Sequence, residues 1–107
     1  GWSITSDARD KTEIEEVPHG LDFVKQLSPV SFKYKESRED ATPAGDAHYG
    51  FLAQDVLALE GDNSVIVDDH DPERLHYNDH HMTAVLVKAI KELTLKVEEL
   101  EAKCAGL

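Results

Sequence analysis

The last quarter of the sequence carries the repeat that most constrains the fold. Leu86, Ile90, Leu93, Val97, Leu100 and Cys104 alternate spacings of four and three, the period that keeps one stripe of an α-helix on one side over several turns. Asn78 stands where an N-cap belongs and Gly106 lies just past the pattern, so one long helix over about 79–104 is expected. Ile90 and Val97 fall at heptad position a, and Leu86, Leu93 and Leu100 at d. Outside the stripe, KELTLKVEELEAK is charged at nearly every position. Such a stripe either packs on the chain's own core, the commoner use of an amphipathic helix, or meets further copies of the chain. The final turns lie far in sequence from the other candidate core elements. An exposed Leu/Val stripe there needs a partner, so self-association is the expectation. Lys96 at g and Glu101 at the following e would pair between parallel chains, each contact contributing only about 0.5 kcal/mol. Taken alone, β-branched a with Leu at d is the dimer pattern.

Upstream the periodicity changes. In GLDFVKQL, Leu21, Val24 and Leu27 have helical spacing, and Pro29 stops a short helix. VSFKYK alternates Val30, Phe32 and Tyr34 with Ser31, Lys33 and Lys35, which predicts a half-buried strand. ESREDATPAGDA, residues 36–47, has no apolar period and contains Pro43 and Gly45. It reads as the tip of a long hairpin or a loop, with HYGFLAQ as the return strand and Gly50 marking a bulge or a close backbone approach. AQDVLALE predicts a short helix ended by Gly61. Val65–Val67 and Leu75–Tyr77 predict two further short strands around the charged turn DDHDPER. The sum is an α+β fold: a small globular part, an extended hairpin arm over about 30–54, and a long terminal helix.

Composition narrows the partners. At 107 residues the chain suits one domain. Its 22 acidic and 11 basic residues leave a net charge of −11, which repels phosphate backbones and anionic lipid surfaces, so neither nucleic acid nor membrane is an expected partner. No apolar run is long enough to span a bilayer, and no basic-then-apolar leader opens the sequence. The single cysteine, Cys104, fits a reducing compartment.

The chemistry-bearing candidate is SDARDK, Ser6 to Lys11. A serine hydroxyl becomes a nucleophile only beside a base, and a neutral lysine amine can be that base when burial or a nearby cation lowers its proton affinity. Lys11 is the candidate base and Arg9 a candidate neighbouring cation. On a regular helix the pair would stand roughly 140° from eclipsed, and on an extended chain up to about 17 Å apart. A working pair therefore needs a tight bend or another subunit. The plainer reading makes Ser6 an N-cap or turn residue bonded to local backbone. Among the histidines, His76 and His80 have the four-residue spacing of a zinc pair beside Asp79 and His81, but His76 precedes the helix cap, so helical geometry is not expected there. EGDNSVIVDD lacks the ligand alternation of a calcium loop. No metal and no cofactor are expected.

SDARDK, GLDFVKQLSPVSFKYK, HYGFLAQDV, LHY and AVLVKAIKELTLKVEELE, taken in that order over about 100 of the 107 residues, resemble the carboxy-terminal intramolecular chaperone auto-processing domain, the peptidase S74 family. Such domains end bacteriophage tail spikes, tail fibres and neck appendages, including endosialidases, and a related one occurs in myelin regulatory factors. The resemblance implies a homotrimer that templates folding of an upstream fibre domain of the same polypeptide and then cuts itself off. It places the nucleophile on Ser6 and the general base on Lys11, with Asp7 and Arg9 at the motif's other fixed positions. The cut would fall between Thr5 and Ser6, making residues 1–5 the end of the upstream segment or a boundary addition and 6–107 the chaperone domain. It also implies an arm that grips the fibre, a trimeric bundle in place of the dimer pattern, and a site of action in the bacterial host cytoplasm during virion assembly. The contrasting reading is a trimerisation and assembly module without cleavage.

Overall fold

The computed structural model describes residues 5–106, so what is expected of Gly1–Ile4 lies outside them. The architecture is α+β. A single 3-10 turn, Ala8–Asp10, precedes α1 (Leu21–Val24), β1 (Val30–Ser37), β2 (Asp40–Gly50), α2 (Ala53–Glu60), β3 (Val67–Asp68), β4 (His76–Tyr77) and α3 (Asp79–Ala105). Two separate antiparallel pairs form, β1 with β2 and β3 with β4. The radius of gyration is 18.2 Å, against about 13 Å for a compact chain of this length, because the hairpin and the end of α3 project from a small core.

That core is a cluster of Phe23 from α1, Val56 from α2, Ile66 and Val67 at β3, and Met82 and Val85 from α3. Each element contributes few residues, so the loops must be held by polar contacts. Glu60, the last residue of α2, does most of this: its carboxylate accepts hydrogen bonds from the backbone N–H groups of Val65 at 2.8 Å, Ile66 at 2.9 Å and Val67 at 3.0 Å. Burying Ile66 and Val67 would otherwise strand their own N–H donors, at about 1–3 kcal/mol each. Gly61 stops α2 with a φ of 79°, a conformation natural to glycine. Asn78 precedes α3 in extended conformation without a side-chain cap bond, and its N–H donates instead to the Ile66 carbonyl at 2.9 Å.

The hairpin sharpens the expectation for residues 36–47. They do hold the tip of a long hairpin, but it is confined to the turn at Arg38 and Glu39: Glu36 and Ser37 end β1, and Asp40–Gly50 form β2 rather than a loop. The arm spans 30–50, and Ala53 and Gln54 already belong to α2. Gly50 pairs regularly with Val30, while one irregularity lies between the Lys35–Pro43 and Ser37–Asp40 pairs and another between the Phe32–His48 and Tyr34–Ala44 pairs, where Gly45 has a φ of 80°. A bulge accommodates extra residues in this way. Pro43 is tolerated because in a two-stranded sheet every strand is an edge. At the tip, the Arg38 guanidinium donates to the Glu73 carbonyl.

α3 uses two adjacent faces differently. Met82, Val85 and Ala89 are buried in the core, whereas Leu86, Ile90, Leu93, Val97 and Leu100 are 38–62% exposed. The alternative in which the heptad stripe packs on the chain's own core is therefore overturned: a second set of residues, also three and four apart, makes that contact. No helix among the described residues is long and apolar enough to cross a membrane.

Candidate functional site

The SDARDK segment folds into the tight bend that its chemistry requires. Asp7, in extended conformation, caps the 3-10 turn by accepting the Arg9 N–H at 2.9 Å. The Asp10 N–H donates to the Asp7 carbonyl at 3.0 Å and the Lys11 N–H to the Ala8 carbonyl at 3.2 Å. Lys11 then leaves the turn extended. The outcome is that Lys11 Nζ lies 2.8 Å from Ser6 Oγ, a separation that neither a helix nor a strand would give. In this arrangement an ammonium donates to the hydroxyl; an amine at the same distance would accept from it.

Asp7 and Arg9 build the bend. The Arg9 guanidinium grips both carboxylate oxygens of Asp7, with its shortest contact at 2.7 Å. Those bonds hold the Asp7 carboxyl below its usual range and push the Arg9 guanidinium up. Arg9 is thus engaged with Asp7. The N-cap is Asp7, which corrects the reading of Ser6 as the cap and leaves the Ser6 hydroxyl to Lys11. Thr5, Ser6 and Lys11 are all exposed.

Sequence reasoning did not single out the contacts that fix the next segment. The Lys88 ammonium of α3 donates to the Val17 carbonyl. One turn further on, Glu92 Oε1 accepts from the Leu21 N–H at 3.3 Å, taking the place of an N-cap side chain for α1, where Gly20 offers none. The approach is one that a side chain at residue 20 would disturb: a Cβ on Gly20 would stand 1.7 Å from Glu92 Oε1, so the carboxylate would have to move away. Only a glycine directly before a short helix hints at this in the sequence, and it does not point to residue 92.

The histidines form no helical pair. His76 lies in β4, and His80 and His81 open α3 with ring centroids 4.1 Å apart. Among the described residues no three His, Cys, Asp or Glu side chains converge as a metal site.

An α+β domain with a Ser–Lys contact at its start, a projecting hairpin and a helix with an unpartnered apolar seam is the class of protein that fold and site define. The family model described as chaperone of endosialidase, peptidase S74, matches residues 6–65, and the chain belongs to that family. The match opens on Ser6 and takes in the bend, α1, the hairpin and α2. No curated protein matches the chain.

Proposed function

We propose that the chain is an intramolecular chaperone that trimerises through the α3 seam, templates folding of a fibre domain preceding it in the same polypeptide, and then releases itself by cutting between Thr5 and Ser6. The observation that carries the cleavage step is the 2.8 Å contact between Lys11 Nζ and Ser6 Oγ. Lys11 as a neutral amine takes the hydroxyl proton, and Ser6 Oγ attacks the Thr5 carbonyl carbon. The C–N bond breaks as the Ser6 nitrogen receives the proton from Lys11, leaving Thr5 esterified to the Ser6 side chain. Water hydrolyses that ester to a Thr5 carboxylate and a chain beginning at Ser6.

Both reacting groups are open to water in the single chain. Assembly that withdraws the bend from water favours the neutral amine that the step needs and supplies backbone donors for the oxyanion. Coupling the cut to assembly makes it a folding checkpoint, and release leaves the fibre kinetically trapped. The reading places these events in the bacterial host cytoplasm during virion assembly, with the product a tail or appendage component.

The test is a denaturing gel of the full-length natural polypeptide against Ser6→Ala and Lys11→Ala, with sequencing of the new amino terminus. The wild type is expected to yield a fragment beginning at Ser6, and both variants to stay whole. A cut persisting in both removes the dyad. An uncut wild type favours the passive trimerisation module.

A further inference from the structure

The seam and the segment just after the dyad meet on the same turns of α3. Leu86, Ile90 and Leu93 point outward as part of the exposed stripe. Lys88 and Glu92, roughly 140° away around the helix, hold the Val17 carbonyl and the Leu21 N–H. Both clamping side chains are half-buried. Between dyad and clamp, residues 12–16 contain Glu13 with a φ of 51°, the only non-glycine residue of positive φ among the described residues. A left-handed side-chain-bearing residue is disfavoured unless its surroundings hold it, so the path from clamp to dyad is a defined kink. Among the described residues the bend itself, by contrast, has hydrogen bonds only within residues 6–11, and the anchored stretch at 17–21 is the next one along the chain that is tied to α3.

We propose that Lys88 and Glu92 are positioning residues for the cleavage: from the side of α3 away from the seam they fix Val17–Leu21, and through it the Ser6–Lys11 bend, so that the dyad is held still only in a chain whose α3 is assembled. This rests on the cleavage mechanism proposed for Ser6 and Lys11. The physical link is order. Partner helices on the seam immobilise residues 86–93, the clamp passes that immobility to 17–21, and the bend loses the freedom that otherwise separates it from a productive approach. Gly20 is part of the device, because any side chain there displaces the Glu92 carboxylate from the Leu21 N–H.

The experiment compares Glu92→Ala, Gly20→Ala and Glu92→Gln in the full-length polypeptide, measuring cleavage rate and oligomeric state together. The two alanine variants are expected to assemble as the wild type does and to cut roughly 10- to 100-fold more slowly, the scale of an ångström-level misplacement. Glu92→Gln keeps an oxygen for Leu21 and is expected to restore most of the rate. Cutting at the wild-type rate in assembled Glu92→Ala or Gly20→Ala overturns the proposal, as does a Gln variant as slow as Ala. A second readout needs no chemistry: in an uncleavable Ser6→Ala background, amide exchange across residues 6–20 is expected to slow on assembly, and Gly20→Ala to abolish that slowing. Should the wild type never cut, the dyad reading falls, and the exchange arm alone judges the clamp.

Discussion

The two halves of α3 are one continuous helix with opposite sources of stability. From Asp79 to about Glu92 the helix is part of the core, burying Met82, Val85 and Ala89 and holding α1 through Glu92. From Leu93 to Ala105 every residue is exposed, large aliphatics included. An isolated helix of about a dozen residues is marginal in water. The second half therefore leans on continuity with the first and on whatever covers Leu93, Val97 and Leu100. A helix that begins as tertiary structure and ends as an exposed apolar stripe would, on the proposed reading, report assembly to the domain, since both tasks share one rigid rod.

The sharpest way to break this comparison is to charge the bare half. Leu93→Glu combined with Val97→Glu places carboxylates on the seam while leaving every buried core residue intact. Sedimentation is expected to show complete loss of self-association, and the gel to show no cut. A monomer that still cuts between Thr5 and Ser6 would sink the checkpoint reading.

A smaller effect separates the halves by stability. Met82 is 2% exposed, so Met82→Ala is expected to cost the unassembled chain about 2–5 kcal/mol in denaturant unfolding. Leu100→Ala, at 59% exposure, is expected to leave that chain within about 0.5 kcal/mol of the parent and to weaken self-association instead. Equal losses from the two would mean that the second half folds back on the domain.

The legibility of each element in the sequence depended on how local its signal is. The seam of α3 could be read because its period repeats within one segment. The core face beside it was overlooked because Met82, Val85 and Ala89 have the same three-and-four spacing but smaller or more flexible side chains than the Leu and Ile stripe. The strands over residues 36–47 were illegible for a different reason. Both are exposed edges in which Asp40, Pro43 and Asp46 bury nothing, so no alternation marks them and only pairing across the hairpin does. At the candidate site, the residue types of SDARDK were visible, but the bend depends on Asp7 capping the turn and binding Arg9. Glu60 and Glu92 act on backbone donors that hydrophobic patterning cannot show.

The smallest expected effect tests the embedded end of α3. Tyr77, just before the helix cap, packs its ring 5.8 Å from Phe51. Burial, reinforced by the charge of Asp79 and a hydrogen bond to it, raises the Tyr77 phenol from its ordinary 10.0 to about 12. The folded state thus favours the neutral phenol. Its contribution to stability is complete below pH 10 and is lost as pH rises through about 12, where the unfolded chain releases the proton first. Spectrophotometric titration is expected to show a late tyrosinate step that disappears in Tyr77→Phe. Because burial is the larger cause, Asp79→Asn is expected to move that step down only part of the way. A step that returned fully to its ordinary 10.0 would make the Asp79 charge, rather than packing, the feature that distinguishes this end of the helix from the bare one.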